Sequence, residues 1–417
     1  MKIRTAGSFR LFASLVTVLL LVSCGGEPVS LVDREKLFTL SYGRFEDQID
    51  LFQLDENSTG PDTQIFMKDG MFYIANSGAQ KILQLTSFGD LLSVYYNPET
   101  NPVPSFAVPE TAGNGQPGGG AAAGTSTRKA ISYPFNHPVY LSVDNMKRLF
   151  VVDQVPSERF EFDNENQVML RDVVLRFNSD GRFIDYLGQE GPGGTPFPPI
   201  SAVYNNTRNE LIVTTKNQSG IQVFWFSSEG NLLFRIPVSF KSLPSPYDRT
   251  AVVLPSLEKI IPDPDTRKLY LKVDYYVEVI DEATKSNAGI TFDRSCIYPF
   301  DIGSVKYEER IDIPSYDGVE KDKLGTVAFK KPYEFIGITS SGWIFLSTPT
   351  GEGYALELLD RHSRRMHKRT LSVKEDELAY NALMLSSDGI LSALLATPYE
   401  ASLVWWRTDA LIGEIRR

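Results

Sequence analysis

The chain is predicted to be all-β, a six-bladed β-propeller with four antiparallel strands per blade, on two observations. Three stretches are near copies of one another: Leu85-Thr86-Ser87-Phe88-Gly89-Asp90-Leu91-Leu92, Phe177-Asn178-Ser179-Asp180-Gly181-Arg182-Phe183-Ile184 and Phe226-Ser227-Ser228-Glu229-Gly230-Asn231-Leu232-Leu233. Each reads as a strand end, a tight turn with Gly where φ must be positive, and a new strand. The second observation is a hairpin corner followed by a short apolar strand, which recurs six times. Turn chemistry repeated with the same apolar flanks marks an internal repeat, which a plain β-sandwich does not explain.

The six corner strands are Gly70–Asn76, Lys147–Asp153, Asn209–Thr215, Arg267–Val273, Gly342–Thr348 and Gly389–Leu395. β-Branched and aromatic residues dominate the first five, as strands covered on both faces require. A short strand precedes each: Ile65–Lys68, Val139–Val143, Ile200–Tyr204, Glu258–Ile261, Phe335–Thr339 and Ala382–Leu385. Third and fourth strands follow, such as Lys81–Thr86 with Leu91–Tyr95. Helical periodicity is nearly absent, with a hint only over Lys374–Leu383. Lys36–Gly43 is an extra strand. It closes the ring against the last blade or, with Ile49–Phe52, belongs to an incomplete seventh blade.

The first 23 residues read as a signal peptide. Lys2, Arg4 and Arg10 precede an apolar run from Leu11 to Val22 that is too short to span a bilayer. The run ends in Leu21-Val22-Ser23-Cys24, a bacterial lipobox pattern in which Cys24 becomes the acylated first residue, followed by a tether over 24–35. The propeller then occupies 36–417, with a low-complexity insert at 107–128. The whole chain carries 42 basic and 52 acidic residues. Loss of three basic residues with the leader takes the net charge from −10 to −13. An acidic body of this kind argues against nucleic acid as a partner. Cys296 is the other cysteine, so no intrachain disulfide is expected.

Phe135-Asn136-His137-Pro138 before a strand, and the Gly-rich run from Gly188 to Pro199, resemble the lead-in of NHL-type six-bladed propellers. Leu40-Ser41-Tyr42-Gly43-Arg44-Phe45-Glu46-Asp47-Gln48-Ile49 is similar to the start of NHL-like envelope lipoproteins of spirochaetes. The resemblance covers about residues 36–240 and is poor over 257–417. It implies a fold and an envelope location, and little about activity.

In a propeller the a–b and c–d turns share one face, and the b–c and d–a connections share the other. The short corners fall on the first face. The long pieces fall on the second: Pro98–Tyr133, Gln154–Gln167, Ser239–Pro255, Asp281–Gly289 and Pro314–Pro332. Loops this long signal function or disorder. Gln116-Pro117-Gly118-Gly119-Gly120 reads as a floppy excursion. Glu158, Phe160, Glu161 and Phe162 alternate acid with aromatic, suggesting a hairpin arm with a sticky face or one folded over its own blade.

Local chemistry for catalysis is thin. There are three histidines, and His137 falls on the opposite face from His362 and His367, which argues against a three-His zinc site. Asn76 and Asp153 at strand ends are candidates to bind a cation, although such residues also simply end strands. No nucleophile elbow or P-loop occurs, and Cys296 reads as a buried small apolar residue. No catalytic residue, metal or cofactor is nominated. Arg361, Arg364, Arg365, Lys368 and Arg369, with His362 and His367, form a basic cluster suited to lipid head groups, anionic glycan or an acidic partner. The competing reading is a solvated turn balanced by Glu357, Asp360, Glu375 and Asp376. The expectation is a lipid-anchored envelope protein at the outer membrane, acting as a binding or assembly scaffold for an envelope protein or cell-wall component. A metal-dependent hydrolase or lyase with its site in the channel is the alternative.

Overall fold

In the computed structural model the described residues are 30–51, 63–107, 127–248, 253–280, 286–322 and 325–415. They form six blades around one axis. Blade 1 runs outward through Thr63–Lys68, Met71–Asn76, Lys81–Thr86 and Leu91–Tyr96, with Lys129–Ser132 added in parallel outside. Blade 2 is Leu141–Val143, Leu149–Gln154, Asp172–Phe177 and Phe183–Gly188; blade 3 is Ile200–Asn205, Leu211–Lys216, Gly220–Phe226 and Leu232–Ser239. Blade 4 is Val253–Pro262, Lys268–Ile280 and Asn287–Asp301, with Lys306–Tyr307 and Ile311–Ile313 sharing its outer edge. Blade 5 is Glu334–Ile338, Trp343–Thr350, Gly353–Asp360 and Met366–Ser372. Blade 6 is Tyr380–Leu385, Leu391–Ala396 and Ala401–Trp406, and its outermost strand is Arg34–Leu40.

That last pairing decides the blade number. Arg34–Leu40 lies antiparallel to Ala401–Trp406 and supplies strand d of blade 6, so the seventh-blade alternative falls away. Chain start and chain end are thereby sewn together, which removes the free edge an open ring would present. A bidentate contact from Arg34 to Glu377 (2.6 and 3.1 Å) reinforces the seam. The docked chain begins before the predicted tether ends: Ser30–Leu31 pairs in parallel with Arg369–Thr370 at the edge of blade 5. The leader, Cys24 and Gln116–Gly124 lie outside the described residues.

The core is divided among the blade interfaces. Each adjacent pair encloses its own apolar cluster: Phe72 and Leu403 between blades 6 and 1, Phe135 and Phe177 between 1 and 2, Phe197 and Phe224 between 2 and 3. Trp225 and Tyr275 fill the space between blades 3 and 4, Tyr333 and Phe335 that between 4 and 5, Trp343 and Trp406 that between 5 and 6. Both faces of the middle strands are therefore covered, and full burial of one such side chain stabilises by about 1.5–3 kcal/mol.

The copied turns have one geometry. Gly89, Gly181 and Gly230 sit at φ 88, 85 and 96°, and each N–H donates to the carbonyl three residues back. The residue at that position, Thr86, Asn178 or Ser227, also accepts two backbone N–H bonds on its side-chain oxygen. A short helix missed in the sequence, Thr408–Ile415, follows blade 6, and its buried Ile412 enters the cluster between blades 5 and 6.

Candidate functional site

The two faces of the ring differ in construction. On the short-turn face hydrogen bonds from side chains and backbone stitch blades 1 through 6 in sequence. Lys68 donates to Asn145 (2.6 Å), Asn145 to the Thr207 carbonyl (3.0 Å), and Thr207 N–H to the Pro264 carbonyl (2.8 Å). Arg267 donates to Glu210 (2.5 Å), Arg361 pairs with buried Asp263 and Tyr270, and Ser340 N–H reaches Ser387 (2.8 Å). The channel opens here as a cavity of about 140 Å³ lined by all six innermost strands.

Extra structure rises on the other face. Between strands b and c of blade 2 the arm forms a hairpin, Glu161–Asp163 against Val168–Leu170, with Phe162 directly opposite Met169. Blade 4 extends beyond the ring because Lys268–Ile280 and Asn287–Asp301 continue pairing past the channel. A second hairpin, Tyr316–Asp322 with Gly325–Lys331, fills the connection from blade 4 to blade 5. These extensions expose Phe162 (51%), Ile280 (50%), Ile290 (59%) and Val319 (65%). The base of the blade 4 extension is anchored. The Tyr247 hydroxyl donates to Asp293, Arg294 donates to the same carboxylate (3.0 Å) and lies 5.0 Å from the Tyr247 ring centroid. The Tyr247 hydrogen bond, with Arg294 adding to it, holds the Asp293 carboxyl below its ordinary range.

Inside the channel mouth on this face lies a charged cluster that the sequence reading missed. Strand a carries an irregularity in register at Ser201, Glu258 and Ile336 of blades 3, 4 and 5, and such bulges re-aim side chains. Glu258 faces fully buried Lys272 (3.4 Å), whose ammonium also meets Asp274 (2.7 Å). Ser295 donates to Asp274 (2.5 Å), and Lys259 donates to the Phe335 carbonyl (3.1 Å). Burial pushes the Glu258 carboxyl up despite Lys272 and Lys259, and burial pushes the Lys259 ammonium down. Beside them is a recess of about 260 Å³ lined by Ser201, Tyr204, Thr214 and Lys216. The signal was present: Lys272 and Asp274 alternate with apolar residues inside a strand, which puts two charges on one covered face.

The predicted site residues separate. Phe160 packs back onto the cluster between blades 1 and 2, whereas Phe162, Glu158 and Glu161 are exposed on the arm. The arm is thus packed down at Phe160 and bare at Phe162. Asn76 and Asp153 are spent on structure. Asn76 bonds both backbone groups of Asp50, and Asp153 accepts from the backbone N–H of Asn136 and His137. Among the described residues no group of three or more His, Cys, Asp and Glu is placed to hold a metal ion. Cys296 is buried, donates to Asp312 (3.3 Å), and burial lifts its thiol to about 11.

The basic cluster also divides. Arg361 is an interblade latch. Lys368 pairs with buried Glu357 (3.4 Å) while its own side chain stays 59% exposed, and Arg364 stands 3.8 Å from Glu309. Arg369 donates to the Lys368 carbonyl (2.7 Å), and Arg365 is exposed. Arg364, Arg365, Lys368 and Arg369 thus belong to the outer rim of blade 5, apart from the long-loop face.

No family model matches the chain, and no curated protein matches it. Solved structures superpose loosely. A gluconolactonase from Xanthomonas campestris does so at TM-score 0.39 and 11% identity, over 91% of this chain and 97% of its own. An ulvan lyase of a polysaccharide lyase family gives 0.39 at 10% identity, over 90% and 96%. The Dos1 propeller gives 0.38 at 7%, over 90% and 95%. Superpositions this loose carry no argument about activity.

Proposed function

We propose that the chain is held at a bacterial membrane through acylated Cys24 and works as a binding or assembly module on its long-loop face. The supporting observation is the asymmetry of the ring. One face is made of short turns tied by interblade polar bonds, and the other carries two hairpins and an extended blade with exposed Phe162, Ile280, Ile290 and Val319. Loops on a rigid scaffold are where proteins place recognition, and exposed apolar groups rimmed by acids suit a protein partner. The partner is an envelope protein or a cell-wall component. Crosslinking from Phe162 and Ile290 positions in intact envelopes should yield a discrete adduct that a Gly-Ser replacement of 161–170 abolishes. Adducts unchanged by that replacement would sink the reading.

A second reading rests on Glu258. A buried carboxyl pushed above its ordinary range, beside a lysine and at the edge of a recess, is fit for general acid–base chemistry in a hydrolase or lyase. Glu258→Gln should then abolish turnover while leaving the crosslinked adduct intact. Loss of the adduct instead would assign Glu258 to scaffolding.

A further inference from the structure

The fifth blade's rim combines three features. Ser30–Leu31 is bonded along the backbone to Arg369–Thr370, and Val32 N–H donates to the Thr370 carbonyl (3.0 Å), so the chain start is fixed there. Cys24 lies six residues upstream, and an extended chain spans at most about 3.6 Å per residue, roughly 20 Å in all. The same edge carries Arg364, Arg365, Lys368 and Arg369, with Leu31 (58%) and Met366 (37%) exposed between them. Acids share it: Asp33 is exposed next to the seam, Glu309 lies beside Arg364, and buried Glu357 pairs with Lys368. Asp360 sits in the turn, and Asp317 and Glu352 line a recess with Lys368 and Arg369. In a chain of net charge −10 this is the local concentration of cations.

The geometry points to the rim of blade 5 as the surface that rests on the bilayer, with Arg364, Arg365, Lys368 and Arg369 meeting anionic lipid head groups and Leu31 and Met366 at the head-group boundary. This rests on the reading of Cys24 as acylated. A single acyl anchor fixes position but leaves orientation free. Basic residues near an anionic surface each add about a fivefold gain in affinity, enough to select one orientation. With the rim down, the ring stands on edge and the long-loop face opens sideways to partners in the same membrane.

Two arms test this with the full mature chain. Acylated protein is placed in phosphatidylcholine vesicles containing phosphatidylglycerol and a head-group spin label, with a fluorophore on Met366→Cys or, on the opposite rim, Phe183→Cys. Buried Cys296 and thioether-linked Cys24 leave the introduced thiol as the reactive one. Fluorescence at 366 should be quenched and fluorescence at 183 spared. In the second arm unacylated Cys24→Ser protein should retain salt-sensitive affinity for the anionic vesicles, falling about fivefold with Lys368→Ala and again with Arg365→Ala. Equal quenching at the two sites, or affinity unchanged by both alanines, would overturn the rim assignment alone. Retention of Cys24→Ser protein in cell membranes through a high-salt wash would overturn the anchor, and the orientation with it.

Discussion

Asp153 is almost wholly buried at the end of strand b of blade 2, where it holds the Asn136–His137 backbone in place. Burial pushes its carboxyl up to about 6, against the hydrogen bonds from His137 and Asn136. The native state therefore keeps this proton more tightly than the unfolded chain. Its contribution is complete below about pH 4 and is lost as pH rises through about 6, a difference of roughly 3 kcal/mol. Asp153→Asn should flatten the fall in stability from pH 4 to 7, measured as the difference from wild type in thermal melts. An unchanged slope would mean that Asp153 is ionised without penalty. Arg361 poses the opposite case. Its loss takes the cationic partner from the Asp263 carboxylate, which is 1% exposed and keeps only the Asp265 and Thr266 N–H groups and the Tyr270 hydroxyl. The cost therefore approaches but stays below the roughly 3–5 kcal/mol of a fully stranded buried charge. Arg361→Ala should lower the denaturation midpoint strongly, while Arg365→Ala on the neighbouring surface should leave it within about 0.5 kcal/mol of wild type.

At the scale of elements, the copied turns tie conformation to contact. Gly230 sits at φ 96°, and a Cβ there would lie 2.7 Å from Arg176 Nη1. That guanidinium grips Asp185 (2.6 Å) and the Glu229 carbonyl (2.8 Å), so the turn of blade 3 is clamped by blade 2. Gly230→Ala should destabilise by more than the roughly 1 kcal/mol of backbone strain alone, and chemical denaturation reads it directly. The arm should behave differently. Phe162→Ser with Met169→Ser removes an exposed cross-strand pair, so stability should hold while the partner adduct is lost. The turns were legible because their chemistry is local. The arm's split between packed Phe160 and exposed Phe162 was not, since it depends on which blade lies beneath.

For the whole molecule, closure is the governing event. Removal of residues up to 29 should leave the melting temperature of the body unchanged, because the seam begins at Ser30. Removal through Leu40 strips strand d from blade 6, bares Ala401–Trp406 and uncovers the cluster containing Leu403. Loss of cooperative melting and aggregation are expected, and a cooperative transition in that truncation would refute the closure. Cys296 offers an independent reading of global opening, since its buried thiol should resist disulfide exchange until the ring unfolds.

Turn sequences and two-residue periodicity are properties of adjacent residues, so the sequence by itself determined the repeat, the strand positions, the polarity of the ring and the face that carries the long loops. It left the blade number open, because Lys36–Gly43 looks alike as a seventh-blade strand or as the last strand of blade 6. Only the pairing of Arg34–Leu40 with Ala401–Trp406, about 370 residues apart in sequence, decided it. The tertiary structure likewise turned the basic run around Arg361–Arg369 into one latch and one rim, and gathered Glu258, Lys272 and Asp274 at the channel mouth. Arg361 gains Asp263 from the neighbouring blade and Glu258 gains Lys272 from the next strand, and no local spacing encodes either pairing.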